Sequence, residues 1–212
     1  MLCGASSVTA VPVRVRAVAA ARDVPWRIHA TRKSGRKKAI SEELTMALRI
    51  RPYKRCDADT IISWIKDETI FRYWCADRFD SYPITGADLN AQYDGLAMND
   101  DIFHFVAYDE AGIVGHFNIR FPDRSDIDTV RLGYVIVDDS RRGQGLGKKM
   151  IRMALDYAFG FMGAKKVTIG VFEQNKAALG CYLAAGFKDT GITEDYEIFG
   201  QVWKCLELAA DN

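Results

Sequence analysis

The chain has 212 residues, of which 49% are hydrophobic, so it can form one sizeable core and fits one domain, or one domain with an extra arm. No apolar stretch approaches the length needed to cross a bilayer, and no membrane partner is expected. The net charge of +1 is unevenly spread: residues 1–45 hold nine basic and three acidic residues, which leaves 20 of 29 basic and 25 of 28 acidic residues in 46–212. A mildly acidic body argues against nucleic acid as its partner.

Residues 1–45 read as a basic arm that is expected to be disordered, with its charge concentrated in Arg32–Lys38. Three interpretations remain open: an organelle-targeting peptide, a nucleic-acid-binding or nuclear-import patch, and a dispensable extension. We favour the extension, because strand-like sequence begins immediately after Met46. The predicted division is therefore an arm at 1–45 and a domain at 46–212.

The first half of the domain predicts a strand at 48–51, helices at 57–64, 68–74 and 85–98, and a β-hairpin of strands 102–108 and 113–119. The second half predicts a strand at 129–137 whose last residues are apolar on both faces, as in a buried central strand. A helix to about 159, a strand at 166–171, a helix at 175–185 and strands at 187–190 and 202–208 follow. The order predicts a mixed α/β fold.

The most informative stretch joins the buried strand to the next helix as Arg142-Gly143-Gln144-Gly145-Leu146-Gly147. Glycines allow positive φ and close approach to a ligand, and the first amides of a helix have no internal partner. Together with nearby Arg141, Lys148 and Lys149, the loop predicts a site for a phosphorylated cofactor. Neither the Walker spacing nor the dinucleotide G-x-G-x-x-G spacing is present. The pattern that fits is Arg-x-x-Gly-x-Gly.

Two segments resemble the GCN5-related N-acetyltransferases, or GNAT family. The first is the loop just quoted, which is similar to the family's acyl-CoA pyrophosphate loop. The second runs from Asn175 to Phe187 and is similar to the family's N-x-x-A-x-x-x-Y-x-x-x-G-F pattern. The resemblance covers about 48–208. The opening half, with Arg51-Pro52, resembles the branch that acetylates ribosomal-protein N-termini.

The resemblance implies a single domain whose mixed, mostly antiparallel central sheet has splayed central strands and is flanked by helices. It also implies acetyl-CoA as cosubstrate. The pantetheine arm would lie between the parted strands beside Val135 and Val137, and Asn175 would contact the cofactor. The diphosphate would lie on the loop and the start of its helix, at Arg142, Gly143, Gln144, Gly145, Leu146, Gly147 and Lys148.

Catalytic roles follow from the same resemblance. Tyr182 matches the acid that protonates the leaving thiolate, although a core tyrosine is the alternative. The general base is unassigned, because Arg131 stands where many relatives have glutamate, and Gly170 where others have a carboxylate. Glu173 is a weak candidate, and a water relay is as good an alternative.

The acceptor site is predicted to come from 67–83 and a late loop at 193–200, where Asp77, Asp80, Glu194 and Asp195 would attract a cationic amine. The predicted function is acetyl transfer to a small-molecule or peptide amine. A non-catalytic acyl-CoA sensor is the alternative. An exposed sheet edge would allow a homodimer.

The cysteine and histidine pattern predicts no metal site. The five cysteines form no C-x-x-C pair and no disulfide framework, and the three histidines lack metal-ligand spacing. Reduced thiols would suit an intracellular protein, so a cytoplasmic location is expected.

Overall fold

A computed structural model describes residues 47–96 and 101–212. The predicted arm at 1–45 and the last two residues of the helix predicted at 85–98 lie outside this range. Among the helices of the described residues, none is both long and apolar enough to cross a membrane.

The described residues form seven strands and five α-helices. The strands are β1 (Arg49–Pro52), β2 (Ile102–Asp109), β3 (Gly112–Arg120), β4 (Thr129–Val137), β5 (Lys166–Phe172), β6 (Lys188–Ile198) and β7 (Gln201–Asp211). The helices are α1 (Ala58–Ser63), α2 (Glu68–Cys75), α3 (Gly86–Leu96), α4 (Leu146–Gly160) and α5 (Lys176–Ala185).

All seven strands belong to one sheet, in the order β1-β2-β3-β4-β5-β7-β6. Only β4 and β5 pair in parallel, so the predicted mixed, mostly antiparallel sheet is confirmed. Their pairing runs from Thr129 opposite Lys166 to Leu132 opposite Ile169 and then stops. β5 stays paired with β7 as far as Phe172. The two central strands therefore part into a wedge-shaped gap, as predicted.

Helices cover both faces of the sheet and enclose two cores. One core includes Met150 and Ala154 of α4 and Tyr182 of α5. The other includes Ile61 of α1, Phe71 of α2 and residues of α3. The ends of β4 and β5 therefore separate between two packed layers.

A bulge at Tyr134 changes the core against which the alternate side chains of β4 pack. Val130 and Leu132 are buried in the core beneath α4 and α5, whereas Tyr134 and Ile136 are buried in the core beneath α1, α2 and α3. Tyr134 has a φ of +51°, and the register between β3 and β4 shifts at this point. The positive φ rotates the backbone and reverses the alternation of side chains beyond it.

The predicted late loop at 193–200 is wrong. β6 continues to Ile198, and only Phe199 and Gly200 separate it from β7. Most β6 side chains are exposed, so the strand lacks the apolar alternation that predicts a half-buried strand. Its backbone pairing with β7 defines it instead.

Candidate active site

The glycine-rich loop sits at the open end of the gap. A 3-10 turn over Asp139–Arg141 follows β4, and Gly143 and Gly145 then adopt φ values of +80° and +72°. These left-handed conformations are easily reached only by glycine. Gly145 caps α4, so the sequence of this loop determines where the helix begins.

The backbone amides of the loop are free to bind a ligand. Among the described residues, the backbone N–H groups of 142–148 donate to no protein acceptor. Residues 142–145 are exposed, and no acidic residue lies in the first turn of α4. A 15-residue helix adds its dipole to these amides, so the loop is suited to bind an anion.

Contacts on both sides hold the loop in place. The Nη2 of Arg141 donates to Asp109 Oδ2 at 2.6 Å, which ties the loop to the turn between β2 and β3. This guanidinium is therefore engaged and does not face the anion site freely. On the other side, a Cβ on Gly147 would lie 3.3 Å from Cys181 Sγ and 3.6 Å from Val137, so glycine allows α4 and α5 to approach closely.

The β4 edge that borders the gap carries Val135 and Val137. Both residues lie beyond the last β4–β5 pair, so their backbone is unpaired on the β5 side, while their side chains pack against the core beneath α4 and α5. This is the edge with which the sequence predicts that a pantetheine arm pairs.

A clamp fixes the bulge in β4. The carbonyl oxygen of Tyr134 accepts hydrogen bonds from Trp74 Nε1 at 2.9 Å and from His116 Nδ1 at 3.0 Å. Because a carbonyl only accepts, Nδ1 carries the proton, and Nε2 accepts from Tyr93, 3.2 Å away. Burial lowers the pKa of His116 to about 3, so the ring is neutral at physiological pH. The two bonds fix the Tyr134 carbonyl in place.

A cleft of about 320 Å³ opens where the strands part, on the face covered by α1, α2 and α3. α2 and the segment after it, the ends of β3 and β4, and the β5–β7–β6 side of the sheet all contribute to its wall. The lining residues are Tyr73, Trp74, Ala76, Arg78, Gln92, Leu96, Ile102, Asn118, Arg120, Arg131, Leu132, Gly133, Tyr134, Gly170, Phe172, Tyr196 and Cys205.

The fold, the loop and the gap agree with a comparison to protein families. The model of the acetyltransferase (GNAT) family matches residues 62–187. The chain belongs to the GNAT acetyltransferase family. Members of the family are acyl-CoA-dependent N-acyltransferases, and the sequence resemblance is confirmed at this level.

Three relatives illustrate the range of the family. Spermidine N(1)-acetyltransferase of Escherichia coli K12 is 23% identical over 167 residues, covering 76% of this chain and 84% of that protein. N-acetylaspartate synthetase of Danio rerio is 33% identical over 121 residues, covering 57% of this chain and 41% of that protein. The Vibrio cholerae spermidine N-acetyltransferase, solved with CoA and spermine, matches with a TM-score of 0.66 and 21% identity, covering 77% of this chain and 95% of that one. The structural match supports the GNAT fold alone.

Two predicted site residues of this GNAT chain lie on α5 or at its start. Asn175 Oδ1 accepts from the Ala178 amide at 3.2 Å, as expected for an N-cap. Tyr182 is buried beside Phe187, and burial raises the pKa of its hydroxyl well above the usual value. Tyr182 is not among the residues that line the cleft. The raised pKa keeps the phenol protonated at physiological pH.

The predicted carboxylates do not line the cleft. Glu173 is exposed just beyond β5, where its amide donates to the Lys204 carbonyl at 2.9 Å. Asp77, Asp80, Glu194 and Asp195 are exposed and absent from the described lining, although Glu194 accepts from the Tyr196 hydroxyl at 2.9 Å. The expected acidic attraction for a cationic amine is therefore missing from this wall.

An arginine occupies the place predicted for the base. Arg131 Nη1 donates to Glu207 Oε2 at 2.8 Å, so the side chain crosses β5 to reach β7. A Cβ on Gly170 would lie 2.8 Å from Arg131 Nη2. The space that a carboxylate at position 170 would use is thus filled by a guanidinium.

The structure adds cleft residues that the sequence did not single out, notably Asn118 and Arg120 on β3. They belong to a strand that reads as ordinary hairpin sequence, and only the register between β3 and β4 brings them to the gap. The four cysteines of the described range are free, and no metal-binding group of histidine, cysteine or carboxylate occurs there.

Proposed function

We propose that this chain transfers an acetyl group directly from acetyl-CoA to a primary amine on a small molecule. The observation that carries the proposal is the row of amides at 142–148 that donate to no acceptor among the described residues, placed where β4 and β5 part. An anion held there leaves its attached chain no easier path than the gap between the two strands.

Different residues of the chain bind the different parts of the two substrates. The loop amides and Lys148 hold the diphosphate of acetyl-CoA, and the unpaired edge at Val135 and Val137 pairs with the pantetheine arm. The clamped bulge at Tyr134 keeps the strands apart so that the thioester reaches the cleft. The amine enters from the opposite face, where the cleft lies. Binding therefore aligns the two reactants in one gap.

The chemistry forms one C–N bond and breaks one C–S bond. The amine nitrogen attacks the thioester carbonyl, and the collapse of the adduct expels the CoA thiolate. The Tyr182 hydroxyl donates its proton to that thiolate, because burial keeps the phenol neutral. Since no described carboxylate lines the cleft, water removes the proton from the amine nitrogen. A proton from solvent then restores the Tyr182 phenol, so the proton balance closes.

A small acceptor fits the cleft better than a long peptide, because about 320 Å³ lies at the lower end of small-molecule sites. The names of the relatives do not decide its charge. One relative is named for spermidine and another for N-acetylaspartate, so the names include a positively charged and a negatively charged compound.

A second candidate function is acyl-CoA binding without catalysis. It is favoured by one observation: both positions where relatives carry a catalytic carboxylate hold other residues here, namely Arg131 and Gly170. A sensor of this kind would bind acetyl-CoA and release no thiol.

Two measurements test the proposal on the full chain. Calorimetry with acetyl-CoA is expected to give saturable heat, and CoA is expected to compete. Thiol release from acetyl-CoA is then followed with a panel of small amines and peptides. Saturable heat with amine-dependent thiol release supports the enzyme, and heat with no release from any amine supports the sensor. If acetyl-CoA gives neither heat nor a thermal shift, the proposal is wrong.

A further inference from the structure

The cleft wall is strongly basic. Arg78 follows α2, Arg120 ends β3, and Arg131 lies in β4, and all three line the cleft. Among the described residues of the lining, none is acidic. The three elements are far apart in sequence, so the cluster exists only in the folded chain.

Arg120 and Arg131 are directly opposed across the β3–β4 pair. Like charges facing each other on a sheet destabilise it. Arg131 has Glu207 as a partner, but within the described residues the Arg120 guanidinium makes no ion pair or hydrogen bond. Burial, together with the charges of Arg131 and Arg78, lowers the pKa of Arg120. The folded chain therefore retains a costly cation in this cleft.

Asn118 supplies a second, independent observation. The residue is 1% exposed and lines the cleft, yet both its Oδ1 and Nδ2 atoms are buried without a hydrogen-bond partner. Leaving such a group unsatisfied costs free energy. Its Oδ1 lies 2.8 Å from where a Cβ on Gly133 would be, so glycine at 133 makes room for this amide. A polar ligand in the cleft would satisfy it.

We propose that the acceptor amine carries a carboxylate, bound by the Arg120 guanidinium and the Asn118 amide, with Arg78 and Arg131 adding positive charge. This inference rests on the proposed acetyl transfer at the same site. A guanidinium binds a carboxylate through two parallel hydrogen bonds, and the bound anion would relieve the repulsion between Arg120 and Arg131. Amino acids and related small amino carboxylates form the matching class.

The same charges explain how the site works without a carboxylate base. Positive charge beside a bound ammonium favours its neutral form, so a nearby guanidinium cluster makes the acceptor easier to deprotonate. A polyamine, which carries several positive charges and no anion, would be repelled by this wall. The basic cleft thus selects against one class of amine and activates another.

The test compares matched acceptors on the full chain. Aspartate, glutamate and β-alanine are each measured against their carboxamide forms, with spermidine as a polycation, by thiol release from acetyl-CoA. The carboxylates are expected to exceed their amides at least tenfold in kcat/KM, because a charge-assisted pair is lost in each amide. Equal rates for acids and amides, a preference for spermidine, or no release with any of the acids would overturn the inference.

Variants assign the effect to Arg120. Arg120→Met is expected to raise KM for the carboxylate acceptors about tenfold or more and to erase their advantage over the amides, with Arg120→Lys intermediate. Affinity for acetyl-CoA is expected to stay the same. Arg152→Met, which removes an exposed arginine from α4, is the matched control and is expected to change neither value. If Arg120→Met keeps the full preference, the assignment is wrong.

Stability gives a readout that is independent of turnover. Without ligand, Arg120→Met is expected to raise the thermal midpoint, because it removes a repelled and partly buried charge; aspartate is expected to raise the midpoint of the CoA-loaded parent chain more than that of the variant. A lower midpoint for unliganded Arg120→Met would contradict the repulsion. Loss of acetyl-CoA binding by the parent chain would overturn the proposed function itself, whereas intact acetyl-CoA binding with no carboxylate preference overturns only this inference.

Discussion

The two sides of the gap are built in different ways. The proposed phosphate side uses consecutive backbone amides at 142–148, and its conformation is set by glycines in the same few residues. The proposed acceptor side uses side chains that lie as far apart in sequence as Tyr73 and Cys205. A site made by the main chain is a local property of the sequence, whereas a site made by converging side chains depends on strand register and helix placement.

The largest effect is expected from a substitution that disturbs the backbone amides of the loop and leaves the cleft unchanged. Gly145→Val places a β-branched residue at a φ of +72°, which costs roughly 1–3 kcal/mol of strain and moves the amides. We expect acetyl-CoA affinity to fall at least tenfold, measured by calorimetry. Gly95→Ala, at a helical glycine with open space around it, is the matched control and should leave the affinity unchanged. An unaltered affinity in Gly145→Val would show that the loop amides do not hold the diphosphate.

Tyr182 tests whether the two sides are joined by a proton donor. Tyr182→Phe is expected to lower kcat by about tenfold to a hundredfold, because the thiolate loses its acid, while calorimetry shows little change in acetyl-CoA affinity. Tyr157→Phe removes a hydroxyl from a half-buried ring packed against Phe105 and should leave kcat unchanged. Equal turnover in the parent chain and Tyr182→Phe would exclude the acid role.

Gly170 probes the acceptor side without touching the loop. An alanine methyl would lie 2.8 Å from Arg131 Nη2 and 3.0 Å from Cys205 Sγ, so Gly170→Ala must displace the guanidinium from its place beside Glu207. We expect KM for the acceptor to rise several-fold and acetyl-CoA affinity to stay the same. Gly180→Ala, which has no neighbour within 4 Å of its added Cβ, is the control. A change confined to acetyl-CoA affinity would mean that the two sides are not separable.

The smallest expected effect concerns His104, whose two ring nitrogens are buried. Burial lowers the pKa of His104 to about 4, below its ordinary value of 6.5, so the unfolded chain binds the proton more readily. This stabilising contribution is present above pH 6.5 and is lost as the pH falls towards 4. His104→Phe should flatten that loss by about 1 kcal/mol per pH unit, measured as the free energy of unfolding between pH 7 and 5.

His104→Phe is a mild replacement, because the His104 ring stacks on Tyr93 with 3.6 Å between the ring centroids. In addition, neither of its nitrogens has a hydrogen-bond partner within the described residues. His116 keeps its bonds to Tyr134 and Tyr93 and still titrates in the variant. The same pH dependence in the variant and the parent chain would show that His104 contributes nothing to it.

What the sequence could predict follows the same division. The apolar stripe of α4 and the glycine spacing before it are local signals, and β4 was predicted with its observed bounds of Thr129 and Val137. The sequence predicts only a short strand at 187–190 in place of β6, because the β6 side chains are mostly exposed and carry no apolar alternation. Arg120 gave no signal at all, since only its position opposite Arg131 gives it meaning. The periodicity of a sequence does not show which residues of two distant strands will face each other.

The left-handed Tyr134 has a consequence for any substitution survey of β4. Val130 and Leu132 pack in the core beneath α4 and α5 before the bulge, and Val135 and Val137 pack against it after the bulge. Polar substitutions at these four positions should therefore destabilise that core. The tolerance pattern along this strand should therefore slip by one position at 134. A survey that assumed strict every-other-residue spacing would assign Tyr134 and Ile136 to the core beneath α4 and α5, although they pack in the core beneath α1, α2 and α3.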